Sequence, residues 1–175
     1  CMVSDGVNAA IASSTAALTV KSSQFAALSA RAPAGTGEQT LILGFVFAGG
    51  GKPTLVRGVG PGISTVSGYM MDPQLRLYTA GGVEVASNDD WAGSRELTDA
   101  FVQTGAGPLD PASKDAALLQ NLTGNVYTAH VSGANGTTGV ALAEAYDVAL
   151  SDKTKRLTAL SVRNQVGVDD AILIA

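Results

Sequence analysis

Apolar and polar residues alternate in short runs along most of this chain, the pattern of half-buried β-strands. Residues 74–78, 83–87, 126–132 and 139–148 alternate clearly, whereas 40–48 is a continuous apolar run that predicts a strand at a sheet centre. Only residues 94–103 have the spacing of a helix. Residues 80–82 are predicted to form a turn, and residues 133–136, which contain Asn-Gly, are predicted to join two strands as a hairpin. About eight short strands separated by Gly, Asn and Pro turns indicate an all-β, jelly-roll-like β-sandwich with one short helix and extended terminal segments.

One stretch of this pattern occurs twice. Residues 148–175 align without a gap on residues 16–43, at a constant offset of 132. The identical pairs are Ala17/Ala149, Leu18/Leu150, Lys21/Lys153, Ala27/Ala159, Leu28/Leu160, Ser29/Ser161, Arg31/Arg163, Gly35/Gly167, Leu41/Leu173 and Ile42/Ile174. Self-similarity at a fixed period indicates repeated modules. The sequence therefore predicts an N-terminal arm (1–24), a β-sandwich module (25–150) and a C-terminal partial repeat (151–175).

We expect one sandwich to have room for only one copy of the repeated segment. The second copy would then expose apolar side chains and unpaired backbone groups, which a neighbouring sheet could accept by donor-strand complementation. The predicted subunit interface comprises Leu157, Leu160, Ile172, Leu173 and Ile174, and the predicted partners are other copies of the chain. Since donor and acceptor lie on different surfaces, such contacts produce a head-to-tail assembly, which is a filament unless it closes. The C-terminal copy is expected to contribute more contact than residues 7–20, which are mostly Ala, Ser and Thr.

Composition excludes several function classes. The net charge is −4 and charged residues make up 15% of the chain, so no basic stripe is present to neutralise nucleic-acid phosphates. No apolar run is long enough to predict a transmembrane segment. His130 is the only histidine and no Gly-x-Ser-x-Gly motif occurs, so we expect a protein that is not an enzyme. The glycine runs 49–51 and 58–62 match no phosphate-loop spacing and are predicted to be turns.

Three residues suggest covalent modification. Cys1 is the only cysteine, and it stands where a lipoprotein would carry its lipid anchor after signal-peptide cleavage; the alternative is a chain that happens to begin at this residue. Asn121 and Asn135 each lie in an Asn-x-Thr sequon and are candidate glycosylation sites. These features, with the few charges and many small residues, favour a secreted, extracellular protein of the cell surface.

The densest polar cluster lies around residues 87–91, directly after a predicted strand. Asp72, Asn88, Asp89 and Asp90 could supply oxygen ligands to Ca²⁺, which binds six to eight oxygens. Their spacing does not match an EF-hand loop. The alternative is a set of Asx-turns in which these side chains bond the local backbone at strand ends.

Residues 72–91 (DPQLRLYTAGGVEVASNDDW) and 124–139 (GNVYTAHVSGANGTTG) resemble the bacterial pre-peptidase C-terminal domain and related jelly-roll repeats. Residues 28–61 are similar to an extended version found in tandem in large secreted surface proteins. The resemblance implies an accessory, adhesive or structural β-sandwich, and calcium at Asp72, Asn88, Asp89 and Asp90, as in some relatives. The leading hypothesis is a structural subunit that assembles by strand exchange. The alternative is a calcium- or carbohydrate-binding accessory module of a longer secreted protein.

Overall fold

The structure, a computed structural model, describes residues 24–165 together with two short N-terminal strands, β1 (Met2–Val3) and β2 (Ile11–Ala12). These two strands pair antiparallel with each other, Met2 opposite Ala12. Over the described part of the chain, no helix is long and apolar enough to cross a membrane.

Residues 24–165 form an all-β sandwich of two antiparallel sheets, as the alternation predicts. One sheet has four strands in the order β3-β10-β5-β8, and the other has five in the order β11-β4-β9-β6-β7. The strands are β3 (Ala27–Ala34), β4 (Leu41–Ala48), β5 (Pro53–Val59), β6 (Pro73–Thr79), β7 (Glu84–Asn88), β8 (Ala116–Asn121), β9 (Val126–Gly133), β10 (Gly139–Asp147) and β11 (Arg156–Arg163). The predicted helix is α1 (Arg95–Thr104), which ends at Gly105 in the left-handed conformation.

The core lies between the sheets and joins small residues on one side to large ones on the other. The four-stranded sheet presents mainly alanines, among them Ala30, Ala32, Ala141, Ala143 and Ala145, all buried. The five-stranded sheet presents leucines and aromatic rings, among them Leu41, Leu43, Phe45, Phe47, Leu75 and Leu77. Large side chains opposite small ones fill the space between sheets without voids. The high alanine content is therefore a property of this packing.

A second apolar layer covers the outer face of the four-stranded sheet. Leu97, Ala100 and Phe101 of α1 pack there with Trp91 against β5 and β8. This cover explains why nearly all of β5 is buried although its two faces point in opposite directions. Leu142, Tyr146 and Val148 face the same layer, as the alternation in β10 predicts.

Most connections cross from one sheet to the other. Within the sandwich formed by residues 24–165, only β6 and β7 are consecutive strands that pair with each other, through the predicted turn at residues 80–82. The expectation of a second hairpin at residues 133–136 is wrong, because β9 and β10 lie in different sheets. Asn135 and Gly136 do have the positive φ values, 52° and 78°, that an Asn-Gly turn requires. The dipeptide thus predicts the local turn but not the sheet that the following strand joins.

The expectation that one sandwich holds only one copy of the repeated segment is also wrong. The first copy forms β3 at the edge of the four-stranded sheet, and residues 156–163 of the second copy form β11 at the edge of the five-stranded sheet. The sandwich therefore extends past residue 150, and part of the predicted C-terminal repeat belongs to it. The physical reason is that a two-sheet sandwich has an edge in each sheet, and strands of the same pattern can occupy both.

Candidate functional site: the edge of β4 and an acidic loop

The second copy of the repeat fills a site along β4. β11 runs antiparallel to β4, with Leu157 opposite Phe47 and Leu160 opposite Phe45. Leu157 is fully buried, so its side chain is part of the core of its own chain and not an exposed patch. Leu160 is partly buried against the same core. The edge of β4 is thus an apolar site that a strand of this sequence pattern completes.

The Ser161 hydroxyl of β11 occupies the space beside a glycine of β4. Gly44 lies opposite Ser161, and a Cβ atom at residue 44 would lie 2.2 Å from the Ser161 Oγ but 3.6 Å from its Cβ. A larger residue at this position would therefore require the serine hydroxyl to rotate. The Thr158 hydroxyl adds a hydrogen bond of 3.2 Å to the Val46 carbonyl.

The two copies of the repeat run side by side in the same direction, one in each sheet. The amide of Phe25 donates to the carbonyl of Leu157, its counterpart in the repeat, over 3.0 Å. At the other end of the strands, the side-chain amide of Asn164 donates to the Pro33 carbonyl over 2.6 Å. Leu28 and Leu160, which are equivalent, both face the interior. The two edge strands therefore hold equivalent positions in opposite sheets.

A buried lysine fixes the connection from β10 to β11. The Lys52 ammonium, 2% exposed, lies 2.7 Å from the Asp147 carboxylate. It also donates to the carbonyls of Asp152 (3.1 Å) and Lys155 (2.9 Å), so all three of its N–H groups have acceptors. At nearby Gly49, whose φ is +85°, an added Cβ would lie 2.1 Å from the Thr154 carbonyl oxygen. Residues 148–155 are thus anchored where they pass from one sheet to the other.

The acidic loop, residues 87–91 with Asp72 beside it, brings together Asp72, Asp89 and Asp90, three of the four residues predicted to bind calcium. Burial, followed by the charges of Asp72 and Asp90, raises the pKa of Asp89. Lys114 lies 2.7 Å from the Asp90 carboxylate and balances part of this negative charge. One carboxylate oxygen each of Asp72 and Asp90 is buried without a hydrogen-bond partner.

The fourth predicted ligand, Asn88, is used by the fold. Its side-chain oxygen accepts from the Ala117 amide at 3.0 Å, and its side-chain nitrogen donates to the Asp90 carbonyl at 3.0 Å. The bond from Ala117 links β7 to β8 across the sandwich edge, and the bond to Asp90 is local to the loop. Within the described ranges, no group of three or more His, Cys, Asp or Glu side chains is placed to hold a metal ion.

The glycine run at residues 58–62 is a turn held by an acidic side chain. The buried carboxylate of Asp115 accepts from the amides of Gly60 (2.8 Å) and Gly62 (3.1 Å), and from the Ser113 hydroxyl (2.7 Å). Amides that a phosphate would need are therefore bonded within the chain. No local pattern predicts this pairing, because Asp115 is distant in the chain from the turn.

Sequence reasoning also missed a buried ion pair under α1. The Arg57 Nε donates to the Glu144 carboxylate at 2.8 Å, and the guanidinium lies over the rings of Phe101 and Tyr146. The Tyr146 hydroxyl donates to the same carboxylate at 2.7 Å. Burial, with this bond to Glu144, raises the pKa of Tyr146 to about 12. The one available signal is Arg57 itself, a charge inside an otherwise apolar run.

His130 lies on the outer face of the five-stranded sheet, on the same side as Thr128, as the alternation predicts. Its Nε2 is 3.1 Å from the Thr128 hydroxyl, and its ring centroid lies 4.5 Å from that of Tyr78, with the two ring planes tilted by 48°. Burial, followed by the charge of Arg163, lowers the pKa of His130. These contacts place the imidazole between a hydroxyl and an aromatic ring.

The remaining predicted sites divide into two groups. Asn121 and Asn135 are both exposed, the first at the end of β8 and the second in the turn before β10. Cys1, Ile172, Leu173 and Ile174 lie outside the described residues. Comparisons of the chain with protein-family models, with curated proteins and with solved structures gave no match.

Proposed function

We propose that this chain is a non-enzymatic structural subunit of an extracellular, cell-surface assembly, joined head to tail to further copies by strand exchange along β4. One observation carries the proposal: the five-stranded sheet is completed by a strand whose sequence repeats the strand that opens the module. The β4 edge thus accepts a strand with the sequence pattern of β3, the strand with which the sandwich of every copy begins. Strands supplied to a sheet edge by a second chain are a known mode of recognition.

The β4 edge is suited to strand exchange, because it is unfavourable when no strand covers it. With β11 removed, Phe45 and Phe47 would lose the strand that lies opposite them, including the buried Leu157, and β4 would present unpaired amides and carbonyls. A neighbour that supplies an equivalent strand restores the same contacts, so exchange loses little energy relative to the closed chain. The predicted interface residues Leu157 and Leu160 then act wherever β11 binds, in its own chain or in a neighbour.

A competing peptide tests this proposal. The intact chain is annealed by mild heating at high concentration and its assemblies are measured by light scattering and electron microscopy, with and without excess peptide of residues 156–165. We expect assemblies that shorten when the peptide is present, because it occupies the β4 edge. A peptide with Leu157 and Leu160 replaced by Asp is the matched control and should have no effect. A chain that stays monomeric under all conditions, or assemblies that ignore the peptide, would refute the proposal.

The acidic loop supports a second candidate, a calcium-binding accessory module. The supporting observation is the pair of unpartnered carboxylate oxygens on Asp72 and Asp90 beside Asp89, whose pKa is raised. Calcium at this loop would supply the missing partner and relieve the repulsion between carboxylates. Lys114 already provides one positive charge to the same group of side chains.

Melting curves of the Asp89→Asn variant separate these two states of the loop. If calcium binds, it should raise the melting temperature of the wild type and do so less for Asp89→Asn. Without calcium, the raised pKa means that the folded chain disfavours the ionised carboxylate, so Asp89→Asn should slightly stabilise the protein at neutral pH. That gain should vanish at pH below the ordinary pKa of the carboxyl, where Asp89 is protonated in both folded and unfolded chains. Asp99→Asn on α1 is the control; equal melting temperatures in calcium and in chelator would remove this candidate.

A further inference from the structure

We infer that the strand which a second copy places along β4 is its β3, which stays paired with its own β10, so that one strand joins two sandwiches in a continuous sheet. This inference rests on the proposed function and names the donor. The closed chain already shows what this site accepts, since β11 is the second copy of the segment that contains β3.

The second edge of β3 has no strand partner in its own sheet. In the closed chain β11 lies beside this edge, and Leu157 and Asn164 bond there to Phe25 and Pro33. β3 pairs with β10 along one edge only, because it is the last strand of its sheet. β11 likewise pairs only with β4. Both strands run in the same direction at the same side of the sandwich, and both direct leucines to the interior. The inner faces of the two sheets point toward each other. If β3 of one copy is superposed on β11 of another with the inner face of each strand on the same side, β10 then lies along one edge of β3 and β4 of the other copy lies along its second edge.

A single strand can therefore use both edges at once. Its first edge would bind β10 of its own module and its second edge would bind β4 of the other copy. The resulting sheet would contain β7-β6-β9-β4 of one chain followed by β3-β10-β5-β8 of the next. The five-stranded sheet of one chain would continue into the four-stranded sheet of the next. Because these sheets are opposite layers of the sandwich, each module would be rotated by about half a turn about the strand direction relative to the one before it.

The residues of β3 suit this position. Ser29 is identical to Ser161 and would lie opposite Gly44, which leaves space for the serine hydroxyl. Leu28 is identical to Leu160. Phe25 is the counterpart of the fully buried Leu157 and is 47% exposed in the closed chain. An exposed phenylalanine just before a strand is accounted for if it enters the core of a neighbour beside Phe47.

Engineered disulfides in the full-length chain test the pairing directly, in a Cys1→Ser background that removes the native thiol. Ala159 lies opposite Val46 within the closed chain, so Ala159→Cys with Val46→Cys should give a disulfide inside one chain. Ala27, the counterpart of Ala159, is exposed and lies in the other sheet of its own chain. A disulfide between Ala27→Cys and Val46→Cys should therefore form only between chains.

The edge is opened for this test by Leu157→Asp, which places a charge in the site that β11 fills. In that background we expect Ala27→Cys with Val46→Cys to give a ladder of linked chains on non-reducing gels. Adding Phe25→Asp should remove the ladder. Ala27→Cys with Thr128→Cys is the control, because Thr128 lies on the same face one strand further from the edge and should not be linked. If Leu157→Asp fails to fold by circular dichroism, Leu160→Asp opens the edge at a partly buried position instead.

The outcomes separate the two proposals. If opened chains associate without the 27–46 link, or still associate after Phe25→Asp, β3 is not the donor, although exchange along β4 remains possible. If opened chains do not associate at all, both the donor assignment and the proposed function fail. Equal ladders from the 27–46 and 27–128 pairs would indicate random collision and would also overturn the inference.

Discussion

At the scale of single residues, the fold depends on a few buried charges whose partners are far away in sequence. Lys52 with Asp147 and Arg57 with Glu144 are ion pairs almost wholly removed from water. Such pairs need every donor and acceptor satisfied, because a charge left alone in the interior is strongly unfavourable. Here the lysine has three acceptors and the arginine a carboxylate, a carbonyl and two rings.

Replacing Lys52 by methionine should therefore destabilise the protein by about 3–5 kcal/mol, since Asp147 would remain buried without its counter-charge. The double variant Lys52→Met, Asp147→Leu should recover part of this loss, because no charge is then left buried alone. Arg95→Ala, which breaks the exposed pair with Asp99, serves as the control and should change little. Urea unfolding measures all three. Equal free energies of unfolding for Lys52→Met and Arg95→Ala would show that the lysine is not held as described.

At the scale of elements, the strand β11 completes the five-stranded sheet and part of the core. The sequence identifies it as a second copy of the opening segment, and the structure gives it a strand's place beside β4. Leu157 has lost all contact with solvent, whereas Thr158 and Ser161 on the same strand are exposed. An edge strand attached in this way is held mainly by its inward side chains.

Leu157→Ala should accordingly reduce the free energy of unfolding by about 2–5 kcal/mol, because it leaves a cavity beside Phe47 that the sheets can fill only in part. Ser161→Ala, on the outer face of the same strand, is the matched control and should be close to neutral. Thermal and urea unfolding report both values. A Leu157→Ala variant as stable as the wild type would mean that β11 does not complete the core.

At the scale of the whole molecule, local patterns predict the elements well and their arrangement poorly. The hydrophobic pattern places five strands (β4, β6, β7, β9 and β10) and the helix within one or two residues, because the period of burial is a local property. Which sheet a strand joins depends on partners many residues away. The Asn-Gly turn at residues 135–136 therefore predicts a hairpin that does not form, and the repeat predicts one copy per sandwich where a strand of each copy is present. The sequence predicts the acidic cluster but not the bond from the Ala117 amide to Asn88.

Because the chain crosses repeatedly from one sheet to the other, strands that lie side by side are synthesised at different times. As the chain is synthesised, β4 emerges early, but the strand that covers its edge is separated from it by more than a hundred residues. Until then, Phe45 and Phe47 belong to an open sheet, and a nascent neighbour could bind there. Ribosomes that follow one another on a message would bring such neighbours together. If the proposed strand exchange occurs, it can therefore begin during translation, before any closed monomer exists.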